Sequence, residues 1–584
     1  EDWQHVMVAD GFKPYNFHRV IFYGDIRLGE FNKQVEVSKG FFKHSGINDT
    51  TLRNVTVGND CLIEKVGNYI NNYTIGNDCY ISNICTLETT DDATFGEGSV
   101  ISVLNEMGDG NVTIFRELNS QLASFMVKHN QDKELRQTLH QMIEDELRVS
   151  RPDRGYIGNN VKIINAKDIT NTIIKGDCEI SGAARLSECT VMSSMDAPVF
   201  IGTGVICENS IICDGCSINN SVKMQDCFVG EACQITNGFT AEASLFFANS
   251  FMANGEACAA FCGPFSASHH KSSLLIGGEF SFYNAGSNTN FSNHAYKMGP
   301  LHWGTLERGT KTASGAYILM PATIGAFSVC FGKLMHHPDT RNLPFSYLIN
   351  YGETMTLVPG RNITTVGLYR DIKKWPKRDK RSKQSKKSII NFDWLSPFTV
   401  GEIMEGIRIL KDSGMGRCRH KILGKQLHVS SIDKLTSVLR HPVSIGTAGM
   451  GHFYRANLHT GNIEGVPLQN RVVGNMLGKR FQRNRKIRGT HLGRKQLLEI
   501  LHGRIHVDTG IRIVGRIKKR QSLNMIPMKM RKKQVIMIVT RRLFLLTQNS
   551  DTGSGIKHQL CALCRRDRDT GSILSHRAEQ PFRK

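Results

Sequence analysis

Between Gly263 and Pro359, polar, basic and aromatic side chains crowd together as nowhere else in the chain. The run begins with His269-His270 and continues through Asn293, His294, Tyr296 and Lys297 to His302-Trp303, Glu307-Arg308 and Lys311. Lys333, His336-His337-Pro338-Asp339, Arg341 and Tyr347 follow. A histidine near its ordinary pKa exchanges a proton at neutral pH. Arginine grips phosphate in a bidentate fork and lysine acts on it as a point charge. Lys297, Arg308 and Lys311 therefore suit phosphate groups, and Tyr296 and Trp303 suit stacking on a ring; a solvated face is the competing reading of the three cations. Adjacent histidines diverge on a strand and make a poor ligand pair, so no metal is expected. Asp339 either orients a neighbouring histidine or caps a turn. Cys213 and Cys216 have CxxC spacing, but no second pair stands at ligand spacing, and they read as core filler.

Around these residues the chain repeats. Thr56-Val57-Gly58-Asn59-Asp60-Cys61 recurs as Thr74-Ile75-Gly76-Asn77-Asp78-Cys79, an offset of 18, with looser copies at Ile157-Gly158, Ile201-Gly202, Val229-Gly230 and Ile324-Gly325. Eighteen is three hexads. One hexad makes a short strand and a corner, and three close a coil that bonds to its neighbours about 4.8 Å above and below. The aliphatic residue points inward, glycine fits where a Cβ would crowd, and the small position (Cys61, Cys79, Cys207, Cys213, Cys233) stacks from coil to coil. The sequence thus predicts a mainly β protein, a left-handed parallel β-helix over residues 1–376. Roughly 300 residues of repeat give about 16 or 17 coils and a rod about 80 Å long.

Two features depart from the repeat. Glu117 to Val149 is polar and glycine-free, with Leu118, Leu122, Phe125, Met126, Leu135, Leu139, Met142 and Leu147 at helical spacing, so a helical hairpin is expected there. Residues 377–398 begin as a basic linker, KRDKRSKQSKK. A helical cap over 399–440 follows, with Thr399 capping Val400 to Lys411 and Ser431 capping Ile432 to Arg440. Such helices would blunt the exposed strand edge of the rod.

Charge divides at the same place. Residues 1–376 hold 30 basic and 39 acidic groups and residues 377–584 hold 44 and 13, so the net +22 splits into −9 and +31. The tail, 441–584, has 29 basic against 7 acidic residues and no sustained periodicity. It is either a basic arm for nucleic acid or another polyanion, or an out-of-frame translation that never folds. Its Cys561 and Cys564 form an isolated CxxC. The first two thirds give no sign of a nucleic-acid partner. The chain starts at Glu1 with neither a signal peptide nor a run of about 18 apolar residues, and its cysteines are scattered. These features predict a soluble, cytoplasmic protein without a membrane partner, short of a few N-terminal residues.

The repeats resemble the hexapeptide-repeat transferase superfamily, which moves acyl groups from coenzyme A or acyl carrier protein to sugar or amino acceptors, as trimers with sites between prisms. Asn293-His294-x-Tyr296 resembles the segment around the catalytic histidine in the acetyltransferase half of bacterial N-acetylglucosamine-1-phosphate uridyltransferases, with the tyrosine one residue nearer. The nucleotide-binding domain of those enzymes has no counterpart here. Over residues 1–440 the chain also resembles long bacterial hexapeptide-repeat proteins known only as a domain of unknown function. The superfamily resemblance implies an acyltransferase with acetyl-CoA or another acyl-CoA as donor and a nucleotide sugar or phosphorylated acceptor. It implies His294 as general base, Asn293 or a backbone N–H at the thioester oxyanion, and a homotrimer. The alternative is a non-catalytic solenoid that binds a sugar phosphate or a protein partner along one face.

Overall fold

The structure is a computed structural model. It describes residues 3–104, 110–292, 303–351, 354–384, 386–412, 421–422 and 425–427. All of these fall within one of two compact units of the chain.

Short strands stack in parallel into three columns, the architecture of a parallel β-solenoid. One column runs from Val6–Val8 through Val57, Ile75, Ile157, Ile174, Val191, Ile212, Val229, Phe246, Cys262 and Phe280 to Leu306 and Ile324. The numbers of the paired residues give the coil length. Val57 lies opposite Ile75, an offset of 18, but Ile212 lies opposite Val229 at an offset of 17 and Phe246 opposite Cys262 at 16. Three strands per coil therefore persist while the corners shed a residue, which blurs the threefold hexad period in the sequence.

The corner chemistry is divided between two residues. Gly58 and Gly76 do not adopt the left-handed region; a Cβ on Gly76 would sit 2.5 Å from the Asn159 side chain and 2.7 Å from the Gly158 carbonyl carbon of the next coil. The left-handed backbone falls two positions later, on Asp60, Asp78, Asn160 and Asp177, with φ between 56° and 59°. Asp and Asn tolerate it because their short polar side chains bond locally. Between them, Asn77 accepts from the Asn59 N–H at 2.7 Å and Asn159 accepts from the Asn77 N–H at 2.8 Å, a ladder along the edge. Inside, the aliphatic, cysteine and aromatic side chains of successive coils form one continuous core.

The expected helical hairpin is present as α1 (Ser120–Lys128) and α2 (Lys133–Ser150). Asn119 caps α1 by accepting from the Leu122 N–H, and Asp132 does the same for α2 at Leu135. Leu135, Leu139, Ile143 and Leu147 bury one stripe of α2. Ile75 and Ile157 are paired although the whole arm lies between them in sequence, so the arm leaves and rejoins the solenoid at a single corner. It packs back on the wall: Ser124 and Lys128 of α1 reach Glu279.

At the far end the strand Tyr347–Tyr351 adds in parallel to Val329–Phe331 and then pairs antiparallel with Thr354–Val358. The hairpin changes the direction of the last layer. Helix α3 (Val366–Lys374), which the sequence reading did not separate from the repeats, follows it. The second expected helix, Ile432 to Arg440, lies outside the described residues, as does the basic tail. The first is α4 (Pro397–Asp412), which begins before Val400. Ser396 rather than Thr399 is its cap, accepting from the Thr399 N–H at 3.2 Å. Pro397 fits the first helical position because its missing N–H would have had no helical partner.

Candidate functional site

The segment carrying the predicted site interrupts one corner. Phe280 pairs with Leu306, an offset of 26, whereas the coils on either side each show an offset of 18 (Cys262 to Phe280, Leu306 to Ile324). The excess lies between the strands Asn290–Ser292 and Gly304–Leu306. Asn293, His294, Tyr296, Lys297 and His302 lie in it, outside the described residues. Trp303 is half-buried at its far end, directly before the strand.

Arg308 and Lys311 are in the wall beside this corner, and both have partners from the C-terminal part of the chain. Arg308 is buried; its guanidinium carbon stands 4.3 Å from the Phe282 ring centroid, and its N–H groups donate to the backbone carbonyls of Asn391 and Asp393. Burial pushes the guanidinium down to about 9, against the opposing pull of Asp393. Lys311 forms an ion pair with Asp371 of α3.

The carbonyls on Arg308 belong to a strap, residues 379–396, which includes most of the segment read as a linker. It is fastened at several points along the solenoid. Asn249 donates to Asp379 at 3.0 Å and accepts from the Lys380 N–H at 2.8 Å. The Glu231 carboxylate accepts from the N–H groups of Lys387 and Ser388. The strap then returns past α1, where the Gln121 side chain donates to the Ile389 carbonyl, and Phe392 packs edge-on against Phe265 and Phe282. Burial works to raise the Asp379 carboxyl, but hydrogen bonds from Arg381 and Asn249 outweigh it and hold the group down to about 2. The cleft between strap and α1 holds roughly 230 Å³, including space open to solvent, and is lined by Gln121, Pro264, Phe282 and Ile390. Ligand pockets start at about 300 Å³, so this one is a packing seam.

The other singled-out residues are spread along the wall. His269 and His270 follow the strand Ala267–Ser268 rather than lying on it, so their rings do not diverge: the centroids are 4.3 Å apart, and Phe251 stacks on His269 at 5.3 Å and 6°. His336 and His337 are exposed in a later coil, with His337 against the Pro321 carbonyl. Asp339 accepts from the Arg341 N–H and side chain, which makes it a turn residue. Arg361 lies over the Tyr347 ring at 5.8 Å. Cys213 and Cys216 are buried, and burial raises both thiols well above their ordinary value. Among the described residues no three His, Cys, Asp or Glu side chains converge on one point, and no helix there is long and apolar enough to cross a membrane. Sequence reading missed Glu231, Asn249, Glu279 and Asp371. Each is an isolated polar residue whose partner lies 60 to 156 residues away, and only the fold pairs them.

A three-column parallel β-solenoid with an inserted helical arm and a docked C-terminal strap is thus the class of protein at hand. The chain belongs to the family described as "Domain of unknown function (DUF4954)", whose profile matches residues 1–413. It is also similar to an "Uncharacterized protein" of Treponema pallidum (strain Nichols), 26% identical over 486 residues, which cover 78% of this chain and 65% of that protein. The chain thus spans just under two thirds of its relative's length.

Proposed function

We propose that the solenoid is a left-handed hexapeptide-repeat prism and works as a cytoplasmic acyltransferase on a nucleotide sugar or another phosphorylated acceptor. The observation that supports this is the coil from Phe280 to Leu306, whose offset of 26 exceeds the 18 of the coils on either side and whose extra residues include Asn293, His294, Tyr296 and Lys297. In this reading His294 takes the proton from the acceptor hydroxyl or amine as its oxygen or nitrogen attacks the thioester carbon of an acyl-CoA. Coenzyme A leaves as the thiol. Asn293 steadies the oxyanion, Lys297 and Trp303 hold the acceptor, and a homotrimer completes the site from a neighbouring prism. The core's thiols, none of them paired in a disulfide among the described residues, suit a reducing compartment.

The test is turnover of acyl-CoAs with nucleotide sugars and sugar phosphates by the full chain and by His294→Ala. Loss of at least about 100-fold in kcat with an unchanged melting temperature is expected. Equal turnover in the variant, or none in the parent, removes the reading.

A second reading, a non-catalytic solenoid that binds a sugar phosphate or a protein along one face, gains from the loss of Arg308 and Lys311 as substrate ligands. Both cations already serve the strap and α3. Stabilisation by a sugar phosphate alone, insensitive to His294→Ala and to acyl-CoA, would select it.

A further inference from the structure

Residues 370–387 carry ten basic and two acidic side chains, on a solenoid that is net acidic over positions 1–376. Both acids are taken: Asp371 by Lys311 and Arg370, Asp379 by Arg381 and Lys386. Lys373, Lys377, Arg378, Lys380 and Lys383 are exposed and have no carboxylate partner among the described residues. A cationic segment of this density ordinarily repels itself into disorder. Here it is held in place, by α3 at one end and by Asn249 and Glu231 further along. Ordering these charges side by side costs free energy that a bound polyanion would recover.

The ring stack adjoins the same surface. Phe251, two residues from Asn249, stacks on His269, and His269 meets the exposed His270 beside Lys271 with the two rings tilted by 39°. The Asn254 side chain donates to the His269 carbonyl at 3.2 Å and fixes the turn. Lys374 and Arg378 are close enough to His269 that, after burial and His270, their charge helps to lower its pKa. Among its described residues the strap exposes no large apolar side chain of the kind that anchors a protein in a lipid surface.

We propose that the strap, together with Lys377 just before it, and the Phe251–His269–His270 ring cluster form a binding surface for single-stranded nucleic acid, with phosphates along Lys377, Lys380 and Lys383 and a base against the His270 ring. Exposed cations along one segment of chain and an exposed ring at its side are the two requirements for sequence-tolerant single-strand binding. This surface is distinct from the basic tail and belongs to the folded solenoid.

The experiment uses the full chain, tail included, with fluorescent single-stranded RNA and DNA, a duplex of equal length, long-chain polyphosphate and anionic phosphatidylserine vesicles. The triple substitution Lys377→Gln, Lys380→Gln and Lys383→Gln should weaken single-strand binding at least about tenfold and lower the salt slope by about 2. His270→Ala should weaken single strands about fivefold and leave the duplex unaffected. All variants keep the tail, so any difference belongs to the strap, and equal melting temperatures establish that the fold is intact. Binding unchanged in the triple variant overturns the proposal, as does indifference to His270→Ala. Strap-dependent capture of vesicles in preference to oligonucleotides overturns it in favour of a membrane surface.

Discussion

Arg308 lies between the Phe282 ring, 4.3 Å from its guanidinium carbon, and the backbone carbonyls of Asn391 and Asp393, so one side chain links the solenoid wall to the strap. No carboxylate neutralises it within ion-pair reach among the described residues; the ring face and two carbonyl dipoles hold the charge instead. The arrangement makes the strap an integral layer of the molecule.

Arg308→Ala should therefore release the strap. Two carbonyls of the strap lose their charged donor and the ring its cation, at a cost of about 2–4 kcal/mol. Hydrogen exchange at residues 389–395 should accelerate by at least about 100-fold while the solenoid strands between 206 and 262 keep their protection. Uniform acceleration through both would contradict a local role for Arg308.

Acid should loosen the same strap at its other anchor. The folded Asp379 carboxyl is held down to about 2, below the ordinary 3.8, so its contribution is present above pH 4 and is lost as pH falls from about 4 to about 2. With part of the group facing solvent, that contribution is at most about 2 kcal/mol. Intrinsic tryptophan fluorescence, to which Trp375 and Trp394 contribute, should show a transition in this window that Asp379→Asn abolishes.

At the coil corners, glycine and aspartate should respond oppositely to substitution. Gly76→Ala puts a Cβ against the next coil and should cost about 2–4 kcal/mol, because backbone must move. Asp78→Gly keeps the left-handed backbone and should cost under about 1 kcal/mol, whereas Asp78→Val should cost about 1–3 kcal/mol. Urea midpoints of the three variants give the order directly; Gly76→Ala milder than Asp78→Gly would refute the close-approach account.

Thiol reactivity should follow burial. Burial pushes Cys178 and Cys330 up to about 12, and Cys213 and Cys216 are enclosed, while Cys85 is the exposed cysteine of the described residues. Iodoacetamide at pH 8 should label Cys85 within minutes and spare Cys213 and Cys216 until the protein unfolds, as read by peptide mass spectrometry. Early labelling of that pair would return the CxxC to the list of chemical sites.

The sequence by itself determined the local period. The Gly-Asn-Asp-Cys hexads dictate strand, corner and inward aliphatic because each is satisfied by its own hexad and an identical neighbour. The stripe of Leu135, Leu139 and Leu147 likewise announced a helix from helical spacing alone. What tertiary structure decided is everything that depends on distant partners. Coils shortened to offsets of 17 and 16 still close, with left-handed corners at Gly215, Ala232 and Asn249, a tolerance that no strict count of hexads reveals. The KRDKRSKQSKK segment has a linker's composition, yet Asn249, Glu231 and Arg308 hold it and the residues after it against the wall. Arg308 and Lys311 resemble phosphate ligands in the sequence and meet Asn391, Asp393 and Asp371 in the fold. A charge's partner is set by where the chain returns in space, and in a solenoid that return comes many coils later.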